Sequence, residues 1–564
     1  MTEKKMNTAG PSTVNETGIS RRNLLVLGGS GLVATALGPR LNLVGSARAA
    51  TPPQSPKGQV VIGMSQEPTK FNPLSPHIEV DEAIYYQIYS SLWRADPKGD
   101  FLPDLAAEMP TVANGGISAD GTQWRVKLRK DVKWHDGTPF TAEDVKFNLD
   151  LINDPKFTAS SRAGHKLVKD VTVVSPSELT WRMDRAFTPY MSILARTFFI
   201  PKHLLEKELD LNNTKFVTAP VGTGPFQWEE RLAGDHISLK ANPDYHGEGP
   251  YLERLIVKYI PDVTAMYVQF QTGGIQYVGL QGISADRYAE AKTLPDKTIV
   301  PAPLSMIEVI SFNLGIPIFK DPAVRQALYL ALDKQSIIDA LYYGLPKPTE
   351  SFLPQESWAF NPDLQQHSYD LEKAQKTLED AGWKMGGDGV REKDGLRLEF
   401  SCSTTVGNSL REQMQQLLQQ SWQQIGVKVV IKNMPAAMLW GDYYTLSQFD
   451  TVIAGIPFSN SGDPDVTDSF SGDYIPAKTG TGHNSFQYQN PDVDPLLASS
   501  VSETDREKRK AAYFRIQEII RNDLPYLPVF QYVMINGISA TLQGYAANTN
   551  MKENCWNANL WFWE

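Results

Sequence analysis

Residues 124–145 read WRVKLRKDVKWHDGTPFTAEDV, and three local patterns follow one another in this stretch. Residues 124–129 alternate apolar and basic side chains, and a period of two predicts a half-buried strand. Asp136 and Gly137 form a turn pair, and Thr141 is placed to cap a helix whose first turn carries two carboxylates. The stretch therefore predicts a strand, a turn and a helix that hold the fold together.

Two further features of the sequence, at His135 and at residues 220–225, indicate close backbone contacts. His135 lies next to the turn, and we expect its ring to bond to a backbone group. Residues 220–225 read PVGTGP, in which Gly222 and Gly224 allow the backbone to approach another group closely. That group is either a bound molecule or another part of the chain.

The two halves of the chain differ in pattern. Before about residue 305, short strands alternate with turn pairs, beginning with a buried strand predicted at residues 59–64. In the second half, strands predicted at residues 396–401 and 427–431 flank a helix that residues 409–412 (SLRE) open as a capping box. Because a strand–helix–strand unit makes a right-handed crossover, the two strands should be parallel. The second half is therefore expected to contain an α/β lobe.

The N-terminus carries the pattern of an export signal. Residues 18–25 (GISRRNLL) place two adjacent arginines before an apolar stretch, and residues 47–49 (ARA) form a cleavage site. We therefore predict a twin-arginine signal peptide over residues 1–49 and a soluble periplasmic protein that begins at Ala50. The apolar stretch is shorter than the ~20 residues of a membrane span, which disfavours the alternative of a retained anchor.

Size and charge narrow the possible partners. The chain has 564 residues, 41% of them hydrophobic, which is enough for two to four domains. Its formal net charge is −10, and because residues 1–49 carry a net +4, the predicted mature chain is near −14. An acidic protein repels nucleic acid and anionic lipid, so neither is expected as a partner.

The sequence contains none of the common catalytic or metal-binding motifs. The eight histidines include no pair at metal-ligand spacing, and no nucleophile elbow, Walker motif or dinucleotide fingerprint occurs. We therefore expect no catalysis, no cofactor and no metal site. Cys402 and Cys555 are the only cysteines, and the sequence leaves open whether they form a disulfide.

Several stretches along the chain together resemble one family. Besides residues 124–145 they are LWRAD at 92–96, FLPDLA at 101–106, PVGTGPF at 220–226, NPDY at 242–245 and DPAVRQA at 321–327. In this order behind an export signal, they resemble the extracytoplasmic solute-binding proteins of ABC importers, in the peptide/nickel/opine-type family 5.

The resemblance implies an α/β, two-lobed periplasmic-binding-protein fold of type II, in the large class with an extra domain. A hinge would join the lobes, and the ligand cleft would lie between them. Lobe one would comprise residues 50–85, 218–305 and 530–564, and residues 86–217 would form the extra domain attached to it. Residues 306–529 would form lobe two.

The resemblance also implies where a solute is bound. The expected contact residues come from loops at strand ends and from an aromatic cluster; they are Gln66, Glu67, Thr223, Gly224, Phe312, Asn313, Trp440, Tyr443, Phe458, Ser459, Asn460, Ser461, Asp463 and Asn484. Aromatic faces stack on sugars and on apolar ligand faces. For Trp440, a place in the hydrophobic core is the alternative.

One loop departs from the resembled peptide binders, in which it begins with Trp and carries an Asp that pairs with the peptide α-amine. Here Ile456 stands at the Trp position, and residues 458–461 read FSNS where the Asp is expected. A buried ammonium without a carboxylate partner costs several kcal/mol, whereas Ser and Asn suit hydroxyls, amides or a carboxylate. The loop therefore favours a polar conjugate or a saccharide over an ordinary peptide, unless it is only a solvent-exposed turn.

These expectations describe a periplasmic receptor that encloses a small polar solute by lobe closure and delivers it to a membrane ABC permease. The solute would be peptide-like, an opine-type sugar–amino-acid conjugate or an oligosaccharide, and the receptor would act as a monomer. The alternatives are an exported hydrolase that uses the same cleft and a subunit that presents the solute to a chemoreceptor.

Overall fold

The computed structural model describes residues 51–564, except residues 280–281, 459–461 and 552–554. The predicted signal peptide over residues 1–49 and its cleavage site therefore lie outside the described residues. Within the described part, every helix is too short or too polar to cross a lipid bilayer.

Two of the strands are long, and the others have eight residues or fewer. The strands, in chain order, are Gln59–Met64 (β1), Trp93–Ala95 (β2), Phe101–Pro103 (β3), Gln123–Lys127 (β4), Val168–Ser175 (β5), Glu178–Met183 (β6), Phe226–Leu232 (β7), His236–Ala241 (β8), Arg254–Tyr259 (β9), Tyr277–Val278 (β10), Lys297–Phe312 (β11), Lys347–Pro348 (β12), Lys384–Met385 (β13), Arg391–Lys393 (β14), Leu396–Arg397 (β15), Glu399–Ser403 (β16), Lys428–Ile431 (β17), Thr451–Ile456 (β18), Tyr526–Ser539 (β19), Leu542–Gln543 (β20) and Phe562–Trp563 (β21).

The α-helices vary from single turns to five turns. In chain order they are Glu79–Ile88 (α1), Ala142–Asn153 (α2), Tyr190–Leu194 (α3), Lys202–Leu205 (α4), Val263–Gln271 (α5), Tyr288–Ala291 (α6), Pro317–Lys320 (α7), Pro322–Leu330 (α8), Lys334–Tyr342 (α9), Leu371–Asp380 (α10), Ser409–Gln423 (α11), Ala436–Met438 (α12), Thr467–Phe470 (α13), Pro476–Thr479 (α14), Val493–Ser502 (α15) and Arg506–Asp523 (α16).

A single sheet runs through both lobes. Its strand order is β17-β16-β18-β11-β19-β10-β1-β9-β8-β7, with β12 paired to β19. The two long strands, β11 and β19, pair antiparallel along most of their length, and their register shifts between Pro303 and Ile307. Because these two strands carry the sheet from one lobe to the other, the lobes can turn about them.

Separate hydrophobic clusters form the interiors of the two lobes. In lobe one, β1 packs with Tyr277 and Trp561, and a neighbouring cluster contains the stacked rings of Trp124 and Trp181, 5.6 Å apart. In lobe two, one cluster surrounds Phe400 and Trp422. Each side of the molecule therefore packs around hydrophobic clusters of its own.

The strand, turn and helix predicted for residues 124–145 are confirmed. Strand β4 pairs antiparallel with β6, and Gly137 donates its N–H to the Trp134 carbonyl at 2.8 Å in the turn. Helix α2 begins after Thr141, whose N–H donates to Asp144 Oδ2 at 2.9 Å. This reciprocal cap satisfies a donor at the helix N-terminus that would otherwise lack a partner.

The parallel strands predicted in the second half are also confirmed, because β16 pairs parallel with β17. The predicted capping box at residues 409–412 is wrong by one residue. Asn408 caps helix α11 by accepting a hydrogen bond from the Arg411 N–H at 3.2 Å, and Ser409 is the first helical residue. Cys402 is buried in the core of lobe two and Cys555 in that of lobe one, and no disulfide joins these two residues.

The glycine loop at residues 220–225 contacts the chain itself. A Cβ atom on Gly222 would lie 1.9 Å from the carbonyl oxygen of Ile88, the last residue of helix α1. Gly224 donates its N–H to the same oxygen at 2.8 Å. The ring of His135 accepts from the Gly222 N–H at 3.2 Å and lies 3.0 Å from the Gly224 carbonyl oxygen, so the predicted backbone partner is confirmed.

Candidate solute-binding site

A cavity of about 840 Å³ lies between the two lobes. Its walls come from residues 73–85 and 152–198 on one side and from residues 440–486 on the other. Many of the side chains that line it are aromatic: Tyr85, Phe187, Phe198, Trp440, Tyr444 and Phe458. This volume and this mainly apolar lining are typical of a small-molecule site.

The wall opposite lobe two carries a charged pair, Glu82 on helix α1 and Arg196 just after helix α3. Glu82 is 5% exposed, and Arg196 Nη2 donates to its two carboxylate oxygens at 2.9 and 3.2 Å. His77 Nε2 lies 3.4 Å from Glu82 Oε1. Because the carboxylate compensates the guanidinium, the wall is polar without a net charge from this pair.

A second histidine on this wall, His165, is buried and uncharged. Its Nδ1 lies 3.1 Å from the Tyr190 hydroxyl oxygen, and its Nε2 lies 3.4 Å from Thr197 Oγ1. Burial lowers the pKa of His165 to about 4, because the imidazolium form would lose its hydration. At neutral pH the ring therefore offers hydrogen bonds but no charge.

Three histidines, of which His165 is buried and His135 and His367 are partly buried, predict how the stability of the protein depends on pH. Burial lowers the pKa of His135, His165 and His367 to about 4 in each case. In the unfolded chain these residues take up protons below about pH 6.5, so unfolding binds protons between the two values. Stability is expected to fall as the pH drops from 6.5 to 4, by up to ~1.4 kcal/mol per pH unit for each histidine.

Denaturant unfolding at several pH values between 7 and 4.5 measures this slope. The variant His165→Gln should bind about one proton fewer on unfolding than wild type does, and its stability should therefore change less steeply with pH. His483→Gln is the control, because Asp468 raises the pKa of the His483 ring, and loss of such a group does not flatten the slope in this window. A slope that His165→Gln leaves unchanged would contradict the assignment.

The lobe-two wall is the loop that follows strand β18. Arg509 of helix α16 donates to both carboxylate oxygens of Asp463, with 2.8 Å from Nη1 to Oδ2. The exposed fractions of the two side chains are 4% and 5%. Asp465 accepts from the Thr467 N–H at 3.0 Å, and burial raises the pKa of its carboxyl group. The loop is thus fixed from behind while its front faces the cavity.

The cavity side chains are arranged for binding. Thr197 is the hydroxyl next to His165, but it donates its proton to the Ile193 carbonyl at 2.7 Å. The histidine therefore does not activate it as a base would activate a nucleophile. Among the described residues, no group of three or more histidine, cysteine or carboxylate side chains is placed to hold a metal ion.

Comparison with known proteins gives the family. The model of "Bacterial extracellular solute-binding proteins, family 5 Middle" matches residues 100–476. The oligopeptide-binding protein AppA of Bacillus subtilis is 30% identical over 519 residues, which cover 90% of this chain and 91% of AppA. This chain belongs to family 5 of the bacterial extracellular solute-binding proteins.

Two solved structures of family 5 proteins share the fold. NikZ from Campylobacter jejuni in complex with Ni(L-His) has a TM-score of 0.73 and 28% identity, covering 90% of this chain and 99% of NikZ. AppA from Bacillus subtilis in complex with a nonapeptide has a TM-score of 0.71 and 28% identity, covering 91% of this chain and 100% of that structure. The expected two-lobed α/β fold is confirmed, and family 5 proteins are binding proteins rather than enzymes.

Three of the residues predicted to bind solute line the cavity of this family 5 protein. Trp440, Phe458 and Asp463 do so, and Trp440 is 41% exposed, so its indole is not a core side chain. Ser459, Asn460 and Ser461 lie outside the described residues.

The other predicted residues that the structure describes lie away from this cavity. Gln66 is exposed, and Glu67 pairs with Arg231 at 2.7 Å. Gly224 packs against helix α1, and Thr223 beside it is buried. Phe312 lies in the core of lobe two, 4.8 Å from the Phe319 ring centroid.

Three polar residues among the predictions also lie outside the cavity lining. Asn313 donates to the Ser447 and Phe449 carbonyls at 2.8 and 3.0 Å. Asn484 donates to the Ser471 and Tyr488 carbonyls at 3.0 and 2.8 Å, and the Tyr443 hydroxyl bonds to the Ser403 hydroxyl at 2.9 Å. The two asparagines therefore satisfy backbone carbonyls, and the tyrosine bonds to another side chain.

Sequence reasoning missed the cavity residues Glu82, Arg196 and Asp465. One of them carries a usable signal in the sequence, because Arg196 is the only charged residue of the largely apolar residues 187–200. A charge placed in a buried segment requires a partner or a function. Glu82 gives no such signal, since residues 79–82 read EVDE, as a solvated helix face would.

Proposed function

We propose that this protein binds a small polar solute in the cavity between its lobes and delivers it to a membrane ABC permease. The observation that carries the proposal is the cavity itself, whose aromatic side chains face charged groups that are already compensated. Glu82 pairs with Arg196, Asp463 with Arg509, and Asp468 with His483 at 2.7 Å. A solute that offers hydroxyls, amides and an apolar face fits such walls better than one with a large net charge.

Three solute classes meet this description: peptide-like compounds, opine-type sugar–amino-acid conjugates and oligosaccharides. The names of the relatives support the breadth of the class, since they include an oligopeptide-binding protein and the nickel-binding periplasmic protein of Escherichia coli, 28% identical over 478 residues. We further propose that the protein works as a monomer in the periplasm, after export by the twin-arginine route. Residues 18–49 support the export proposal.

The domain division also remains our proposal, with lobe one at 50–85, 218–305 and 530–564, the extra domain at 86–217 and lobe two at 306–529. The hydrophobic clusters support it, because those of lobe two use residues between Ile307 and Phe530. Clusters on the other side draw on residues from both lobe one and the extra domain.

A thermal-shift panel tests the proposed function. The compounds are di- to pentapeptides, opine-type conjugates, oligosaccharides and nickel chelates. Solute at 100 times its Kd should add about 2.7 kcal/mol to the stability of the native state. We expect a large shift with one class and recovery of the compound unchanged. Turnover of the compound, or no shift with any class, would contradict the proposal.

Trp440 provides a matched variant for the same panel. Trp440→Ala removes an indole face from the cavity and should reduce the shift markedly. Tyr369→Ala is the control, because Tyr369 is similarly exposed, at 43%, and does not line the cavity. An equal loss in both variants would contradict a role for Trp440 in binding.

A further inference from the structure

Two segments meet beside the cavity, one from the extra domain and one from lobe two. Thr188 lies between the cavity-lining residues Phe187 and Pro189, just before helix α3, and Phe187 packs against the cluster around Trp124 and Trp181. It donates its N–H to the Val501 carbonyl at 2.7 Å and its Oγ1–H to the Glu503 carbonyl at 2.7 Å. Both acceptors lie at the end of helix α15, in lobe two.

The chemistry of a helix end explains why Thr188 fits there. The last carbonyl groups of an α-helix have no partner within the helix. Thr188 supplies two donors to such groups at the end of α15, as a capping residue would, but from the opposite lobe. Opening the cleft exchanges these bonds for bonds to water, so the contact is reversible.

A second contact joins the lobes beside the solute. The Asp463 N–H donates to Ser192 Oγ at 2.8 Å, and both residues line the cavity. Arg509 holds the Asp463 carboxylate, and Trp358 Nε1 donates to the Gly462 carbonyl at 2.7 Å. The acceptor Ser192 therefore meets a donor whose position is fixed within lobe two.

We propose that Thr188 and Ser192 form a latch that holds the cavity closed and so sets how firmly it retains its solute. The inference rests on the proposed receptor function, and it adds two positioning residues that lie on the side of the cavity opposite to their partners. Ser192 lines the cavity, and Thr188 lies between the lining residues Phe187 and Pro189. A nearby pair, Arg506 with Asp100 at 2.8 Å, is exposed and contributes little.

Small-angle X-ray scattering of the full mature chain without added solute tests the latch. We expect wild type to scatter as the closed structure. The double variant Thr188→Val/Ser192→Ala loses both hydroxyls, so its ratio of closed to open molecules should fall at least tenfold and its radius of gyration should rise. Thr172→Val is the control, because Thr172 Oγ1 bonds only to the nearby Asp170 carbonyl at 3.1 Å.

Two further measurements keep the result interpretable. Circular dichroism shows whether the double variant is folded, and the variant Thr188→Ser, alone on the wild-type background, keeps the hydroxyl and should remain closed. An open wild type, or a double variant that scatters as wild type does, would overturn the latch. The scattering experiment needs no solute, so it tests the latch independently of the thermal-shift panel. The thermal-shift panel tests the receptor function.

Discussion

Gly222→Ala should destabilise the protein by ~3 kcal/mol or more, and the variant should fail to accumulate as a folded species. The new Cβ atom would lie 1.9 Å from the Ile88 carbonyl oxygen, a backbone atom that no rotamer change can move away. Relief requires a shift of helix α1 or of the loop. A shift of α1 would displace Glu82, and a shift of the loop would break its bond to the ring of His135.

Denaturant unfolding, or soluble yield where the variant does not purify, measures this effect. Gly387→Ala is the matched control, because its Cβ atom would meet no atom within 4 Å. The control should stay within ~0.5 kcal/mol of wild type. A Gly222→Ala protein as stable as the control would contradict the close packing between the glycine loop and α1.

Asp463→Asn is expected to cost ~3–5 kcal/mol, because it leaves the Arg509 guanidinium buried without a carboxylate. The exposed fractions of the two side chains, 4% and 5%, mean that water cannot replace the lost partner. The same change should loosen the loop that faces the solute. Urea unfolding gives the first effect, and the thermal-shift response to a bound compound gives the second.

Two further variants test whether the loss comes from the buried charge. Asp463→Asn with Arg509→Gln should recover part of the stability, since no unpaired charge remains inside. Asp244→Asn removes an exposed pair with Lys133, 3.5 Å apart, and should change stability by ~1 kcal/mol or less. A cost for Asp463→Asn as small as that of Asp244→Asn would contradict the ion-pair argument.

Local sequence patterns predicted several helices and strands, because the interactions that form these elements join residues close together in the sequence. Thr141 and Asp144 are three residues apart, so the cap of α2 can be read from the sequence. The same holds for the parallel strands β16 and β17, which follow from the order strand, helix, strand. The cap of α11 was misplaced by one residue because Asn408 and Ser409 are both good capping residues.

The structure places several of the predicted solute-binding residues away from the cavity, because a pattern shows that a residue is buried but not what it is buried against. Phe312 and Asn313 were expected in the cleft, yet one packs in the core of lobe two and the other bonds to backbone behind the cavity. Trp440 was predicted to face either the core or the cleft, and the structure places it at the cavity.

The sequence by itself determined the family, the two-lobed architecture and the elements whose signals lie within a few residues of one another. Tertiary structure alone decided which side chains meet at the cavity. Glu82 and Arg196 are 114 residues apart, and Asp463 and Arg509 are 46 apart. Contacts at such separations depend on how distant segments of the chain pack within each side of the molecule, and no local periodicity encodes that arrangement.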